Sequence, residues 1–370
     1  MERADFLIIG GGVAGLSAGA RLAAYGRVIV LEGEAAIGHH SSGRSATFSH
    51  YGIGNATVRA LTAQSRDFFL TGGDGALARL SPALFVATEE MRPTLDALGE
   101  TMAALSDATE IVDEAQVRAL FPPLRTGGAH VVAGIVHRDG LRLDSDALLQ
   151  HYVRTIRVAG GTVLNERRVT AIDPAWTAAT DRGERFGAPT LINAAGAWAD
   201  QIAILAGVPP LGLKPLRRTI IVVDPPAGMD ARGWPFVKTA VDDFYILPEG
   251  GRLAASPVDE VETEPSDAQP EEYDIALAAW KVEQYTTLDV TRIAHRWAGL
   301  RTFTPDRTPA VGFAAEAPGF FWLAGQGGFG LQTAPAVAEA VEALTTGAAW
   351  PKALAERGVA REHLDPARFA

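Results

Sequence analysis

The sequence predicts an α/β fold of two domains, the first opening on a parallel strand–helix–strand unit. Three observations lead there. A short apolar run, a three-glycine turn, a helical stretch, a second apolar run and an acid follow one another between Asp5 and Glu32. A second glycine-rich turn opens another helical stretch near Leu331. The chain has 370 residues, more than one hydrophobic core ordinarily holds.

The run Asp5 to Ile9 is branched, apolar and bounded by glycines, which reads as a buried strand. Gly10, Gly12 and Gly15 then give the spacing of a dinucleotide turn. The first permits the tight turn, the second a close approach of pyrophosphate, and the third the packing of helix on strand. Val13 to Tyr25 reads as the helix whose N-terminus faces the phosphates, Gly26 ends it, and Arg27 to Leu31 is the next strand. Glu32 closes that strand about 20 residues after the glycines, where an acid accepts hydrogen bonds from a ribose diol. Glu rather than Arg there disfavours a 2′-phosphorylated nucleotide. The whole pattern is Rossmann-like.

The small polar stretch "GHHSSGRSATF" follows, with Ser41, Ser42, Arg44 and Ser45 as donors suited to lie along a long cofactor. Further on, Asp144 or Ser145 caps a helix running to about Val158, and Thr162 to Leu164 and Val169 to Ile172 read as strands. Thr190 to Asn193 is a strand running into the small-residue turn Ala194-Ala195-Gly196-Ala197. Phe320 to Ala324 is a strand too; Gly325, Gly327, Gly328 and Gly330 lead from it into a helix from about Leu331 to Leu344. A helix dipole there stabilises negative charge at the far end of an extended cofactor. A reduced flavin places an anion at its pyrimidine edge, so two such helices suit FAD.

Composition narrows the rest. Hydrophobic residues make up 47% and the formal net charge is −11, with no basic cluster, which argues against nucleic acid and anionic membrane as partners. There is no cysteine, which removes disulfides, thiolate nucleophiles and cysteine-linked cofactors. No apolar run reaches ~18 residues, so no membrane span is expected, and a cytoplasmic protein is the default. No metal site is expected.

Six segments in order, "HSSGRSA", "NAAGAWAD", "PLGLKPLRR", "FYILP", "WAGLRTFTPD" and "GQGGFGLQT", make the chain resemble the FAD-dependent D-amino acid oxidase superfamily. Within it, they are most similar to the bacterial D-arginine dehydrogenase and broad-range D-amino acid dehydrogenase branch. The resemblance implies a glutathione-reductase-type FAD-binding domain over 1–75, 135–205 and 300–370. It implies a second, α+β substrate domain on an antiparallel sheet over 76–134 and 206–299. Thr219 to Val223 and Phe244 to Leu247 read as strands without helices between them, which agrees with such a sheet. The acidic run "PVDEVETEPSDAQPEEYD" reads as a solvated loop leading into a helix near Pro270.

The resemblance also implies non-covalent FAD. Its contacts would be Gly10, Gly12, Val13, Ala14, Gly15 and Glu32; Ser41, Ser42, Arg44, Ser45 and Ala46; and Val169, Ala195, Gly196 and Trp198. Arg301 and the turn from Gly327 and Gly328 through Phe329, Gly330 and Leu331 to Gln332 and Thr333 complete the set. Arg301 would be the main carboxylate anchor and Arg218 a second, because a guanidinium binds a carboxylate with two parallel bonds. Arg217 beside it points the other way, so one of the two is expected on the surface. Tyr245 would help hold the carboxylate, and Gln332 and the Gly328 carbonyl would lie between flavin and substrate amine. No general base stands out; His50 is the nearest titratable candidate, ahead of His39 and His40.

Two departures bear on the substrate. Phe85, in "LSPALFVATEE", stands where arginine-preferring relatives carry an acid, and Ile53, in "SHYGIGN", where they carry a lid tyrosine. An apolar Phe85 cannot offset a buried guanidinium. The implied reaction is therefore oxidative deamination of D-amino acids with neutral or apolar side chains, with a quinone or other electron acceptor. Lysine is scarce, and Lys214 and Lys238 fall in the substrate half, so no lysine is expected beside the flavin. The alternatives are a glycine, sarcosine or 2-hydroxy acid oxidase, and an FAD-carrying electron-transfer subunit of a larger complex.

Overall fold

The four-residue runs Phe6–Ile9 and Val28–Leu31 are entirely apolar and entirely buried, and they pair in parallel. In the computed structural model, which describes residues 1–72 and 77–369, they lie inside a six-stranded sheet. Its order is Thr162–Leu164, Val28–Leu31, Phe6–Ile9, Thr190–Asn193, Phe320–Ala324, Ala310–Phe313, with the last pair antiparallel. Continuous rather than alternating hydrophobicity follows from cover on both faces. On one side Ile8 and Val30 meet Leu16, Ile156 and Val337 from the helices Val13–Leu22, Ser145–Val158 and Gly330–Thr346. On the other, Leu7, Ile29 and Leu191 pack with Ile202 of the helix Ala199–Leu205 and with Val169 and Phe186 of a small four-stranded sheet.

The helix Ser145–Val158 starts where its cap dictates: the Asp144 side chain accepts from the Ala147 amide at 2.9 Å. The first helix is shorter than its sequence suggests, ending at Leu22 rather than Tyr25.

A larger, mostly antiparallel sheet runs in the order Gln326–Gly327, His295–Phe303, Lys214–Val223, Arg252–Ser256, Tyr245–Glu249, Phe236–Thr239, Ala83–Ala87, Ala133–His137, Thr109–Asp113. Its strands cross the boundaries at 134/135 and 299/300, and the boundary at 75/76 falls outside the described residues. The period of two sorts the long strand Lys214–Val223 between two cores. Ile221 and Val223 pack under the helix Glu272–Tyr285 with Ile275, Ala278 and Val282. Ile220 and Val222 face the opposite way, towards Tyr245 and Phe236.

That alternation corrects one expectation. Arg217 and Arg218 do point to opposite faces, but neither is on the surface: both are buried. Arg217 lies under the helix, paired with Asp274 at 2.8 Å and with Glu271. A buried carboxylate on the covering helix makes burial of its charge tolerable. Among the described residues no helix is long and apolar enough to cross a membrane.

Candidate active site

One cavity runs between the two sheets, with about 2140 Å³ of empty space including its mouth. At one end is the glycine turn. Gly10 has φ +114°, and a β-carbon there would collide with the Ala194 carbonyl, so the strand-end turn closes only around glycine. Gly15 does not line the cavity; a β-carbon there would strike the Gly10 carbonyl and Ile8, so it serves the packing of helix on strand. The Glu32 carboxylate is aimed by two backbone amides, Gly11 to one oxygen and Glu34 to the other, each at 2.8 Å. Burial outweighs those bonds and raises its pKa, as for an acid that lacks partners for its remaining lone pairs. Ser42 Oγ accepts from the Val13 amide at 3.0 Å. Gly12, the N-cap of the first helix, and Ala14 in its first turn both border the cavity. An extended dinucleotide fits this helix N-terminus and this acid.

Val169, Ala195, Gly196 and Trp198 line the same end, and Ser45 and Ala46 the stretch beyond. Two side chains expected to donate along it are engaged elsewhere. Ser41 donates to the Leu300 carbonyl at 2.6 Å. The Arg44 guanidinium reaches the carbonyls of Ala268 and Ala298, at 2.9 and 3.2 Å, and the Asp267 carboxylate. Backbone oxygens of the strand His295–Phe303 and of Ala268, with the Asp267 carboxylate, claim them first.

At the far end, Gly327, Gly328, Gly330 and Leu331 line the cavity at the N-terminus of the 17-residue helix Gly330–Thr346. Gly328 is needed for space, because a β-carbon would occupy the position of the Arg301 guanidinium. Phe329, Gln332 and Thr333 do not line it. Phe329 packs on Phe303. Thr333 donates back to the Phe329 carbonyl at 2.9 Å. Gln332 turns into the core and donates to Thr62 of the helix Ala56–Thr71 at 2.8 Å. Helical periodicity points the side chains after the first turn away from the mouth.

The wall opposite is one face of the large sheet. Register puts Arg301 opposite Leu216, Gly299 opposite Arg218, and Lys238 opposite Tyr245, and Arg218, Arg301, Lys238 and Tyr245 all line the cavity. Arg301 is held weakly by acids, with Glu260 3.4 Å away. Burial, and next the charge of Arg218, push it down to about 10. Arg218 donates to the Asp259 carbonyl at 2.8 Å and lies 3.5 Å from Glu260. Burial raises the Tyr245 hydroxyl above its usual pKa.

His50 and Ile53 lie on the cavity from the neighbouring loop. The His50 Nδ1 accepts from the Gly52 amide at 3.1 Å, which leaves Nε2 carrying the proton. Burial, with the charges of Lys238, His137 and Arg59, holds its pKa well below the ordinary value. Phe85 is buried but does not line the cavity: its ring fills the space beside Gly52 and stands edge-on to His50 at 5.2 Å.

Two features escaped the sequence. Lys238, cross-strand neighbour of both Phe85 and Tyr245, is buried on the cavity wall and paired with Asp242 at 2.9 Å. The sequence places it in the substrate half, and there it stands on the cavity wall rather than at the surface. Its strand was legible only as "FVKT", where one lysine among apolar residues gives no hint of direction. The acidic run 257–274 is exposed over most of its length and leads into the helix Glu272–Tyr285, as expected, but three of its acids are committed to partners on the sheet. Asp259 accepts from the Thr219 amide at 2.8 and 3.0 Å, Glu260 faces Arg218, Arg301 and Arg307, and Asp274 pairs with Arg217. Burial pushes Glu260 up, but the arginines outweigh it and hold its carboxyl below the usual range. The run supplies the counter-charges for arginines that lie far away in sequence.

The family model for FAD-dependent oxidoreductases of the DAO type matches residues 5–344. Glycerol-3-phosphate dehydrogenase 1 of Mycobacterium tuberculosis is 26% identical over 250 residues, 60% of this chain and 46% of the relative, so the match spans about half of that protein's length. Among solved structures, L-proline dehydrogenase from P. horikoshii superposes with a TM-score of 0.85 at 22% identity, covering 100% of this chain and 98% of that one. Glycine oxidase from Geobacillus kaustophilus gives 0.80 at 20% identity, covering 98% and 99%. Both likenesses are of fold. With the family match across most of its length and a dinucleotide cradle facing a buried cationic wall, the chain belongs to the DAO family of FAD-dependent oxidoreductases, and FAD is its cofactor.

Proposed function

We propose that the protein is a D-amino acid dehydrogenase that oxidises the α-carbon amine to an imino acid, which water converts to a 2-oxo acid and ammonia. The observation carrying this reading is the convergence of Arg218, Arg301 and Tyr245 on one buried face at the Gly328 end of the cavity. Bound FAD supplies the hydride acceptor. Arg301 and Arg218 take the substrate carboxylate in charge-assisted hydrogen bonds, and the Tyr245 hydroxyl adds a third contact. The Gly328 carbonyl accepts from the amine. His50, with Nδ1 occupied and its charged form disfavoured, donates from Nε2 rather than acting as a base. The amine therefore loses its proton on binding, encouraged by the neighbouring cations. A clamp fixed on one side and a flavin on the other leave one direction for the α-hydrogen, which sets the enantiomer.

Cationic side chains are disfavoured, because Lys238 borders the cavity and Phe85 offers no acid. Non-covalent binding is the expectation from the absence of cysteine, with His40 engaged by Glu34 at 3.2 Å and His50 Nδ1 by the Gly52 amide. The dehydrogenase rather than oxidase assignment rests on the six motifs and on the scarcity of lysine, Lys238 standing on the substrate wall. A glycine-type amine or a 2-hydroxy acid would use the same clamp, whereas a pure electron carrier has no use for one. Anaerobic mixing with a panel of D- and L-amino acids, glycine, 2-hydroxy acids and glycerol 3-phosphate tests the reading. Bleaching of the yellow colour by D-amino acids is expected. Bleaching by L-amino acids or hydroxy acids alone overturns it. Acid precipitation should release all colour, and reduced enzyme should reoxidise faster with a quinone than with air.

A further inference from the structure

The least explained group on the cavity wall is Lys238. Its side chain is 5% exposed, whereas its partner, the Asp242 carboxylate, is 53% exposed. An ammonium has three donors, and Asp242 takes one. Burial first, and the charges of Arg301 and Arg218 next, oppose its protonation. An isolated structural ion pair is poorly served by this arrangement, since the lysine bears the desolvation while its acid stays half in water.

Position defines what Lys238 could meet. The sheet order places Phe236–Thr239 three strands from Lys214–Val223 and four from His295–Phe303. At about 4.8 Å per strand, Lys238 stands roughly 14 Å from the line of Arg218 and roughly 19 Å from that of Arg301. All three long side chains border the same cavity and feel one another's charge. Lysine and arginine side chains are long enough to lean into that interval, which would narrow the gap between their heads. Tyr245, directly beside Lys238 in register, lies between. Ile220 and Phe236 are apolar stretches of the same lining. The wall therefore reads as cation, short apolar span, cation pair.

We infer that the preferred substrate carries a second carboxylate at the end of a short side chain, as in D-aspartate or D-glutamate, and that Lys238 is the residue that selects it. The inference rests on the reading of Arg218 and Arg301 as the clamp for the α-carboxylate. It refines the expectation of neutral side chains: Phe85 removes the partner for a cation, and Lys238 chooses among what remains. The distal carboxylate takes the ammonium donors that Asp242 leaves free or displaces Asp242, whose exposure makes release into water inexpensive.

The test is binding of unreactive ligands to the FAD-loaded protein, read from the flavin absorption spectrum. Glutarate and pentanoate share one carboxylate and a carbon chain of the same length, and differ at the far end. In the wild type glutarate should bind at least about tenfold tighter, the smallest gain expected of a charge-assisted contact. In Lys238→Met that ratio should fall to near one, and Lys238→Arg should restore part of it. FAD content of each variant reports folding. A ratio near one in the wild type, or a ratio that Lys238→Met preserves, overturns the inference and leaves the clamp standing. Failure of both ligands to bind overturns the clamp and the inference together. Turnover should follow binding, with D-glutamate or D-aspartate ahead of D-norvaline in the wild type and behind it in Lys238→Met.

Discussion

The two ends of the cavity are assembled differently. The end at Glu32 comes mainly from one short stretch, strand, turn, helix, strand and acid between residues 6 and 42, with Val169 and the turn 194–198 closing it. The end at Arg301 is gathered from strands at 214–223, 236–239, 245–249 and 295–303 and from a loop near His50. Local assembly makes each part replaceable at modest cost. Distributed assembly concentrates charge where no single segment neutralises it, so one substitution there has a larger effect.

The largest effect is expected from Arg301→Ala. Losing a positioned fork should lower kcat/KM by about 10³-fold, equivalent to ~4 kcal/mol, with FAD content retained. Arg301→Lys should recover only part, since a point charge lacks the fork. A variant with full efficiency would shift the clamp to Arg218 and erase the contrast between the ends. On the reverse face of the same sheet, Asp274→Ala removes the buried partner of Arg217 and leaves it only the exposed Glu271. It should cost about 3 kcal/mol in urea unfolding without altering substrate preference. A change of preference would mean that the two faces communicate.

Glu32→Ala should weaken FAD by ~1–3 kcal/mol, about 5- to 150-fold, measured by titration of apoprotein. Loss as severe as that at Arg301 would contradict the idea that the glycine-turn end shares its load. The smallest effect concerns pH. The pKa of folded His50 lies well below 6.5, its unfolded value. Below pH 6.5 the unfolded chain therefore takes up a proton that the folded chain refuses. Stability is full above that pH and falls beneath it, by at most ~1.4 kcal/mol per pH unit for each such histidine. His40 and His137 are lowered too and add in the same direction. Thermal melts from pH 7.5 to 5.5 should show the decline, and His50→Gln should flatten it.

The same contrast explains what could be read from the chain. Strands 6–9, 190–193 and 320–324, the cap at Asp144 and the glycine turns are local events, announced by adjacent residues. Arg218, Arg301 and Tyr245 were reached through motifs, and the structure places all three on the cavity. Gln332 and Phe85 carried motif positions but not the orientation of their side chains, which depends on what packs against Thr62 and Gly52. Lys238 and the acids at 259, 260 and 274 were illegible for a different reason. The acids take their meaning from arginines tens of residues away and Lys238 from the cavity it borders, and charge on a strand or in a polar run looks the same whether it meets water or a partner.

The stretch around Arg44 joins the two ends. Ser41 reaches Leu300, Arg44 reaches Ala298, and Trp297 donates its indole N–H back to the Arg44 carbonyl at 3.0 Å. For anyone recombining members of this family, the inheritable unit is thus not a contiguous domain. A substrate sheet transplanted without residues 41–44 would arrive with its carbonyls unbonded and an indole N–H lacking an acceptor. Chimeras that carry the strap along with strand 295–303 should be the ones that remain yellow.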